Sequence, residues 1–128
     1  MEIELYAFYG CEKMTIINIP NNTTLGDRLF YSCTSLIECN IPDGVTSLTG
    51  TFHRCTALSS VSLPASLTSI GVETFSNCSK LESITFRGTV DQWNTIQLHT
   101  NPDFGRNNWN YGSGIKSIVC TDGVVSIS

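Results

Sequence analysis

One spacing recurs four times along this chain of 128 residues: a phenylalanine, a cysteine three residues later, and an apolar residue three further on. The phenylalanines are Phe8, Phe30, Phe52 and Phe75, and the cysteines are Cys11, Cys33, Cys55 and Cys78. The units therefore follow one another at 22, 22 and 23 residues. A fixed period of this length is typical of solenoids, in which each unit forms one coil of the chain.

The second half of each unit alternates apolar and polar residues and closes on a proline, as in Leu58–Pro64. Alternation with a period of two is typical of a strand with one buried face. One unit cannot bury this face alone, so we expect parallel strands about 4.8 Å apart, with each Phe and Cys packed on its equivalents. We predict adjacent parallel strands within 36–42, 58–64 and 81–86. Parallel connections within one sheet are almost always right-handed, which predicts a right-handed coil.

The run F-x-x-C-x-x-L-x-x-[IVC]-x-[IL]-P, preceded by I-G-x-x-x-F, resembles the BspA-type leucine-rich repeat. The resemblance covers residues 3–87, and residues 88–128 resemble the end module of such proteins. It implies a strand-rich leucine-rich-repeat solenoid with short helical or 3₁₀ turns. The repeats would occupy 1–87, about four coils with the first truncated, and a capping module 88–128. It also implies a cell-surface or extracellular location, and adhesion rather than catalysis.

The C-terminal segment carries signals for a helix. Thr89 and Gln92 form a capping-box pattern, and Val90, Trp93 and Ile96 lie on one face of the helix that follows it. The residues from 101 to 114 predict an irregular loop held by aromatic side chains, namely Phe104, Trp109 and Tyr111. We expect Trp93 and Ile96 to cover the last coil.

Thr121-Asp122-Gly123 separates two short apolar runs near the C-terminus. Asp122-Gly123 is a strong hairpin signal because it tolerates the positive dihedrals of tight hairpin turns. The open end of a solenoid exposes apolar core and an unpaired strand edge, so we interpret the helix and the hairpin together as a C-terminal cap.

The first unit shows no comparable cap. Ile3 aligns with Ile70 of the repeat, so Ile3, Leu5 and Phe8 would face solvent in an isolated monomer. Exposed strand edges invite pairing. We therefore expect either a homodimer formed end to end through this coil, with Glu2 and Glu4 near the contact, or further coils in a longer parent protein.

The six cysteines do not indicate a disulfide framework. Four share one repeat position, and Cys39 occupies an inward position that is apolar in the other units. Side chains that project in parallel from neighbouring coils lack the dihedral a disulfide requires, so we predict free, buried thiols. Close Cys and His clusters are missing from the sequence, which predicts no metal site and no cofactor.

Charge and motifs exclude several function classes. Seven Lys and Arg against eleven Asp and Glu give a net charge of −4 with no block of either sign, so we predict no binding to nucleic acid. No apolar run approaches the roughly 20 residues of a membrane span. Cys55 and His53 lack an orienting acid, and the turn explains Asp122, so we predict no catalysis. Asn21, Asn22 and Asn77 start sequon-like triplets, whose glycosylation the sequence leaves open.

Recognition remains as the function. The residues just after the four phenylalanines are Tyr9, Tyr31, His53 and Ser76, which would stack in a row with His53 as an exposed variable position. Tyrosine suits a protein or glycan contact, although such a row could equally be a rim that shields the core. The outward sheet residues are small and polar, which suits binding or tight stacking, and the candidates among them are Asn18, Asn40, Ser60 and Ser62. We predict a non-enzymatic binding module; the alternative is a structural spacer or assembly element that self-associates through the N-terminal coil.

Overall fold

The structure is a computed structural model that describes residues 2–99 and 109–127. Within these residues the chain forms eleven short strands and one helix. In chain order they are β1 (Glu2–Ile3), β2 (Ile16–Ile17), β3 (Thr24–Leu25), β4 (Glu38–Asn40), β5 (Ser47–Leu48), β6 (Ser60–Leu63), β7 (Ser69–Ile70), β8 (Ser83–Phe86), α1 (Val90–Asn94), β9 (Gln97–Leu98), β10 (Ser117–Cys120) and β11 (Gly123–Ser126).

The main sheet has the order β11-β10-β8-β6-β4-β2. Every pairing from β2 to β10 is parallel, and β4 pairs with β6 in a register that places Cys39 beside Val61. These partners are one repeat apart, so each unit contributes one strand and one coil. The predicted leucine-rich-repeat solenoid, with adjacent parallel strands at 36–42, 58–64 and 81–86, is confirmed.

The connecting segments are tight turns closed by bonds from a backbone N–H to the carbonyl three residues earlier, as from Tyr9 to Tyr6 and from Cys33 to Phe30. This is the hydrogen bond of a 3₁₀-helix, but the turns do not continue as helix. Two residues of each coil, one on either side of the Phe, have φ between 54° and 68°. They are Tyr6, Arg28, Gly50 and Glu73 before it, and Gly10, Ser32, Arg54 and Asn77 after it. Left-handed residues reverse the chain and end each turn.

The core is built from two ladders that run through the coils. Successive rings of the Phe ladder stack with centroids 5.5–5.6 Å apart. Phe30, Phe52 and Phe75 are fully buried, whereas Phe8 in the first coil is only half-buried. Each ring thus gains its burial from the coils above and below it, as the repeat predicts.

The cysteine ladder adds hydrogen bonds that the repeat spacing did not reveal. The thiols of Cys33, Cys55 and Cys78 donate to the carbonyl oxygens of Phe8, Phe30 and Phe52, with sulfur–oxygen distances of 2.9, 3.1 and 3.0 Å. All six cysteines are free. Burial raises the pKa of Cys33 to about 11 and that of Cys78 to about 12, so these thiols stay protonated donors at neutral pH.

Helix α1 begins with the predicted capping box. The hydroxyl of Thr89 accepts from the Gln92 N–H at 3.1 Å, and the Gln92 side-chain oxygen accepts from the Thr89 N–H at 2.8 Å. Trp93 and Ile96 are buried, and the Trp93 ring meets Phe86 edge-on at 5.5 Å. The helix therefore lies against the end of the repeat core.

The predicted hairpin joins β10 and β11, which are antiparallel, through Thr121 and Asp122. One part of the expectation was wrong, because neither Asp122 nor Gly123 has a positive φ. Gly123 instead pairs with Cys120 as the first residue of β11. The carboxylate of Asp122 accepts from the Val90 N–H at 2.8 Å, so this residue joins the hairpin to the start of α1.

Residues 109–120 form a fifth coil, which the four-fold Phe and Cys spacing does not predict. Trp109, Gly112, Ile115, Ile118 and Cys120 repeat the spacing of Phe75, Cys78, Leu81, Ile84 and Phe86. The Phe75 N–H donates to the Trp109 carbonyl at 2.6 Å, and β10 continues the parallel sheet beside β8. The segment assigned to the cap thus includes one more repeat. The expectation for residues 101–108, including Phe104, lies outside the described residues.

Candidate functional site

The residues after the ladder phenylalanines form one stacked row on the outside of the coils. The rings of Tyr9 and Tyr31 stack with centroids 5.3 Å apart, and those of Tyr31 and His53 at 4.4 Å. Backbone bonds from Gly10 to Tyr31 and from Ser32 to His53 hold the three coils in register. The structure therefore brings these predicted site residues together.

Exposure falls steadily along this row. Tyr9 is 56% exposed, Tyr31 is half-buried, and His53 and Ser76 are 7% and 3% exposed. The expectation that His53 is an exposed position was wrong. Tyr31 covers one face of its ring, and Glu73 lies beside it with 3.9 Å between the Glu73 Oε2 and His53 Nδ1 atoms. The accessible part of the row is its tyrosine end.

Tyr6 extends this end and was missed by the sequence analysis. Its ring stands at 80° to Tyr9 and at 71° to Tyr31, with centroids 5.4 and 6.3 Å apart. The three rings line a hollow of about 420 Å³, which we call the tyrosine hollow. A repeat alignment puts Tyr6 in a variable position, shared with Arg28 and Gly50. Its spacing of three residues from Tyr9, across a turn, was the signal that could have found it.

Two arginines flank the deeper part of the row. Arg28 takes the position equivalent to Tyr6 in the second coil, and its side chain lies over Gly50, where an added Cβ would come within 2.8 Å of the Arg28 Cγ. Arg54 follows His53 directly and is exposed. Burial, with Glu73 acting in the same direction, raises the pKa of Tyr31, and Arg54 opposes this.

The charge of His53 follows from its surroundings. Burial lowers the pKa of His53; Glu73 opposes the change, and Arg54 and Arg28 add to it. The imidazole is therefore neutral at pH 7, and its contact with Glu73 is not an ion pair there. The Nδ1 atom has no hydrogen-bond partner among the described residues. His53 serves as a buried platform under Tyr31.

The sheet-face candidates lie apart from the tyrosine hollow. Asn18, Asn40 and Ser60 are exposed, and Asn40 pairs in register with Ser62. The Ser62 hydroxyl accepts from Arg87 at 2.6 Å. Arg87 also donates to the Ile41 carbonyl and the Asp43 carboxylate at 2.5 and 3.0 Å, so this guanidinium braces three coils. Ser62 is thus engaged within the protein, and the face near it is a shallow polar hollow of about 290 Å³.

A third hollow, of about 380 Å³, lies between β3 and β5 and is lined mostly by Asn, Thr and Ser residues. The second edge of the coils is split there into a two-stranded sheet, β1-β3, and a three-stranded sheet, β5-β7-β9. Leu25 of β3 lies five residues after Pro20, whereas Leu48 of β5 lies six after Pro42. This difference in turn length shifts the register by one residue, so the two strands do not pair.

The described residues form no candidate metal site. Nowhere among them do three or more His, Cys, Asp or Glu side chains lie close enough together to hold an ion. The Cys55 thiol, two residues from His53 in the sequence, donates to the Phe30 carbonyl inside the core, and burial raises its pKa. Within the described part of the chain, no helix has the length and apolar character to cross a membrane.

Comparisons with known proteins give one family match and two similar solved structures. Residues 1–102 match the family described as a BspA-type leucine-rich repeat region (6 copies). A leucine-rich repeat protein of T. pallidum is 32% identical, with a TM-score of 0.62 over 66% of this chain and 40% of that chain. A leucine-rich cell surface protein of Faecalibacterium prausnitzii A2-165 is 26% identical, with a TM-score of 0.60 over 78% of this chain and 33% of that one.

Among curated proteins none matches this chain. The chain spans less than half the length of each of the two similar structures. The family match, in contrast, covers the first four coils, helix α1 and strand β9. With its repeat spacing, its parallel coils and this match in agreement, the chain belongs to the BspA-type leucine-rich repeat family.

Proposed function

We propose that this chain is a non-enzymatic binding module of a cell-surface or extracellular protein, and that it recognises a protein or glycan through the tyrosine hollow. The observation that carries the proposal is the hollow itself, lined by Tyr6, Tyr9 and Tyr31. Among the described residues, nothing hydrogen-bonds to the three hydroxyls. The cell-surface description of the F. prausnitzii relative supports the location.

Tyrosine suits this role because one ring offers a large apolar area and a hydroxyl, while only two side-chain torsions are fixed on binding. The rings also rest on a firm base. Tyr31 lies on the buried His53, and the adjacent Phe8 and Phe30 stack at 5.6 Å beneath the row. A surface held in place before binding loses less entropy when a partner docks.

The test is a glycan and matrix-protein array probed with the chain and with a Tyr9→Ala, Tyr31→Ala variant. We expect the variant to lose at least about tenfold in affinity for the captured partner, because truncated interface tyrosines commonly cost more than 1 kcal/mol. Tyr111→Ala, which removes an exposed tyrosine of the fifth coil, is the matched control and should bind normally. Equal binding by all three proteins, with unchanged circular dichroism, would contradict the proposal.

A second function, self-association through the N-terminal coil, is favoured by a separate observation. The core side chains of the first coil are only half-buried, among them Ile3, Phe8 and Ile17, while Leu5 and Ile16 are 54% and 57% exposed. Two copies meeting end to end would cover these side chains and pair the open strand edges. The product would be a homodimer or a longer assembly element.

Light scattering tests self-association directly. The native chain is compared with an Ile3→Lys, Leu5→Lys variant, which places two charges in the contact. A dimer for the native chain alone supports the second function. Monomers in both samples rule it out at the concentrations measured.

A further inference from the structure

Two guanidinium groups near the tyrosine hollow have no acidic partner among the residues that the structure describes. Arg28 and Arg54 form no ion pair with any carboxylate of the described residues, whereas Arg87 is paired with Asp43 at 3.0 Å. Glu73 is the acid that acts on this part of the row, together with both arginines. The surface around Tyr31 and His53 therefore carries two positive groups, Arg28 and Arg54, against the one negative group of Glu73.

Tyrosine and arginine together characterise the energetic centres of protein interfaces. An arginine prefers a carboxylate with which its planar fork forms two parallel hydrogen bonds. A neutral sugar would stack on the rings and leave both guanidinium groups without a charged partner. The combination on this surface therefore favours a protein segment with acidic side chains.

We infer that the partner is an acidic protein segment whose apolar side chain enters the tyrosine hollow while a carboxylate pairs with Arg28 or Arg54. This inference rests on the proposed function, because it names the partner class for the same surface. Tyr6 and Tyr9 would contact the apolar side chain of the segment. Tyr31 would lie beneath the backbone between this side chain and the acidic residue.

The coil spacing sets the length of the motif. Tyr6 and Tyr9 belong to the first coil, Arg28 to the second and Arg54 to the third, and neighbouring coils lie about 4.8 Å apart. The distance from the hollow to Arg54 is then roughly 10 Å, which an extended peptide covers in about three residues. The segment should carry its acid within about three positions of the apolar residue. Glu73, in the fourth coil, disfavours a longer acidic run.

The experiment is peptide display from a random library on the full chain, followed by affinity measurement with a selected peptide made synthetically. We expect selected peptides to combine Phe, Trp, Tyr or Leu with Asp or Glu within about three positions. An Arg28→Gln, Arg54→Gln variant should bind the peptide about tenfold more weakly, and high salt should weaken binding by the native chain more than binding by the variant. Tyr9→Ala should weaken binding about 30-fold. Lys80→Gln, an exposed charge change in the fourth coil, is the matched control and should have no effect.

The outcomes separate this inference from the proposed function. Selected peptides without acids, or peptides indifferent to both arginine substitutions, overturn the inference, while dependence on Tyr9 retains the hollow as a binding site. If no peptide is enriched and a glycan is bound in a Tyr9-dependent way, the protein partner is wrong and the site stands. Binding of peptides and glycans that is indifferent to the tyrosines overturns both. Circular dichroism of each variant confirms that it folds.

Discussion

The first and last coils of this chain use the same repeat but cover their core side chains to different extents. At the C-terminal end, Trp93 and Trp109 are 3% and 1% exposed, and β11 closes the main sheet. At the N-terminal end, Phe8 and Ile3 are half-buried, and Leu5 is 54% exposed. Coils with neighbours on both sides bury their ladder Phe and Cys side chains completely, whereas the first coil, with one neighbour, leaves them partly open.

The ring ladders show what finishing one end achieves. Trp109 meets Phe75 edge-on at 6.2 Å and lies 6.3 Å from Trp93, so two indoles complete the Phe ladder at the C-terminal end. At the other end the ladders stop at Phe8 and Tyr9, and the tyrosine hollow lies there. The candidate binding surface and the uncovered end of the core are thus adjacent features of one coil.

The largest effect should come from removing the indole that covers the C-terminal end. Trp93→Ala leaves a cavity beside Phe86 of the fourth coil and Trp109 of the fifth, so we expect a loss of about 3–5 kcal/mol in the free energy of unfolding, with aggregation. Phe8→Ala removes a half-buried ring and should cost less than half as much. Urea unfolding followed by circular dichroism measures both. Equal losses of stability in the two variants would contradict the difference in burial between the first and last coils. An unfolding curve of Trp93→Ala that matches the native curve would contradict the role of Trp93 in covering the core.

The next effect concerns the middle coils, whose thiols have a carbonyl acceptor in the neighbouring coil. Burial raises the pKa of Cys33 to about 11 and of Cys78 to about 12, so the folded chain keeps protons that the unfolded chain releases near pH 9. Stability should therefore be intact below about pH 9 and fall above it, by up to about 1.4 kcal/mol per thiol and pH unit. Urea unfolding at pH 8, 9 and 10 measures this slope. Cys78→Ala should flatten it, and an identical slope in that variant would contradict the assignment.

Several of these features followed from the sequence because they depend on repeat position alone. The Phe and Cys ladders, the row of Tyr9 and Tyr31, and the capping box each need only spacing. The burial of His53 was not predictable in this way, because a position in the repeat does not fix how far a side chain tilts toward its neighbours. The fifth coil was missed because Gly112 replaces the ladder cysteine and an insertion separates this coil from the fourth.

A smaller effect tests how the covering elements are joined to each other. Asp122→Ala removes the carboxylate that accepts from the Val90 N–H, and we expect it to lower the free energy of unfolding by about 1 kcal/mol, as for the loss of a helix cap. Asp91→Ala is the matched control, since it removes an exposed acid of the same first turn. It should cost less than about 0.5 kcal/mol. Comparable losses for the two variants would mean that the Asp122 contact contributes nothing beyond general charge.

The smallest change in stability should come from a backbone position that is left-handed in both the first and the second coil. It is occupied by Gly10, with φ of 68°, and by Ser32, with φ of 61°. A Cβ at Gly10 would meet no atom within 4 Å, so Gly10→Ala adds about 1 kcal/mol of backbone strain without a clash; the smaller freedom of the unfolded chain offsets part of this strain, for a net cost of about 0.5 kcal/mol. Ser32→Gly relieves the same strain but adds freedom to the unfolded chain, for a net gain of about 0.5 kcal/mol. Ser32→Ala keeps the strain and is the control, with little expected change. Thermal and urea unfolding measure all three. If Gly10→Ala leaves the free energy of unfolding unchanged while Ser32→Gly raises it, the left-handed conformation is not maintained in the first coil. The first coil would then be frayed rather than held in place by the second coil.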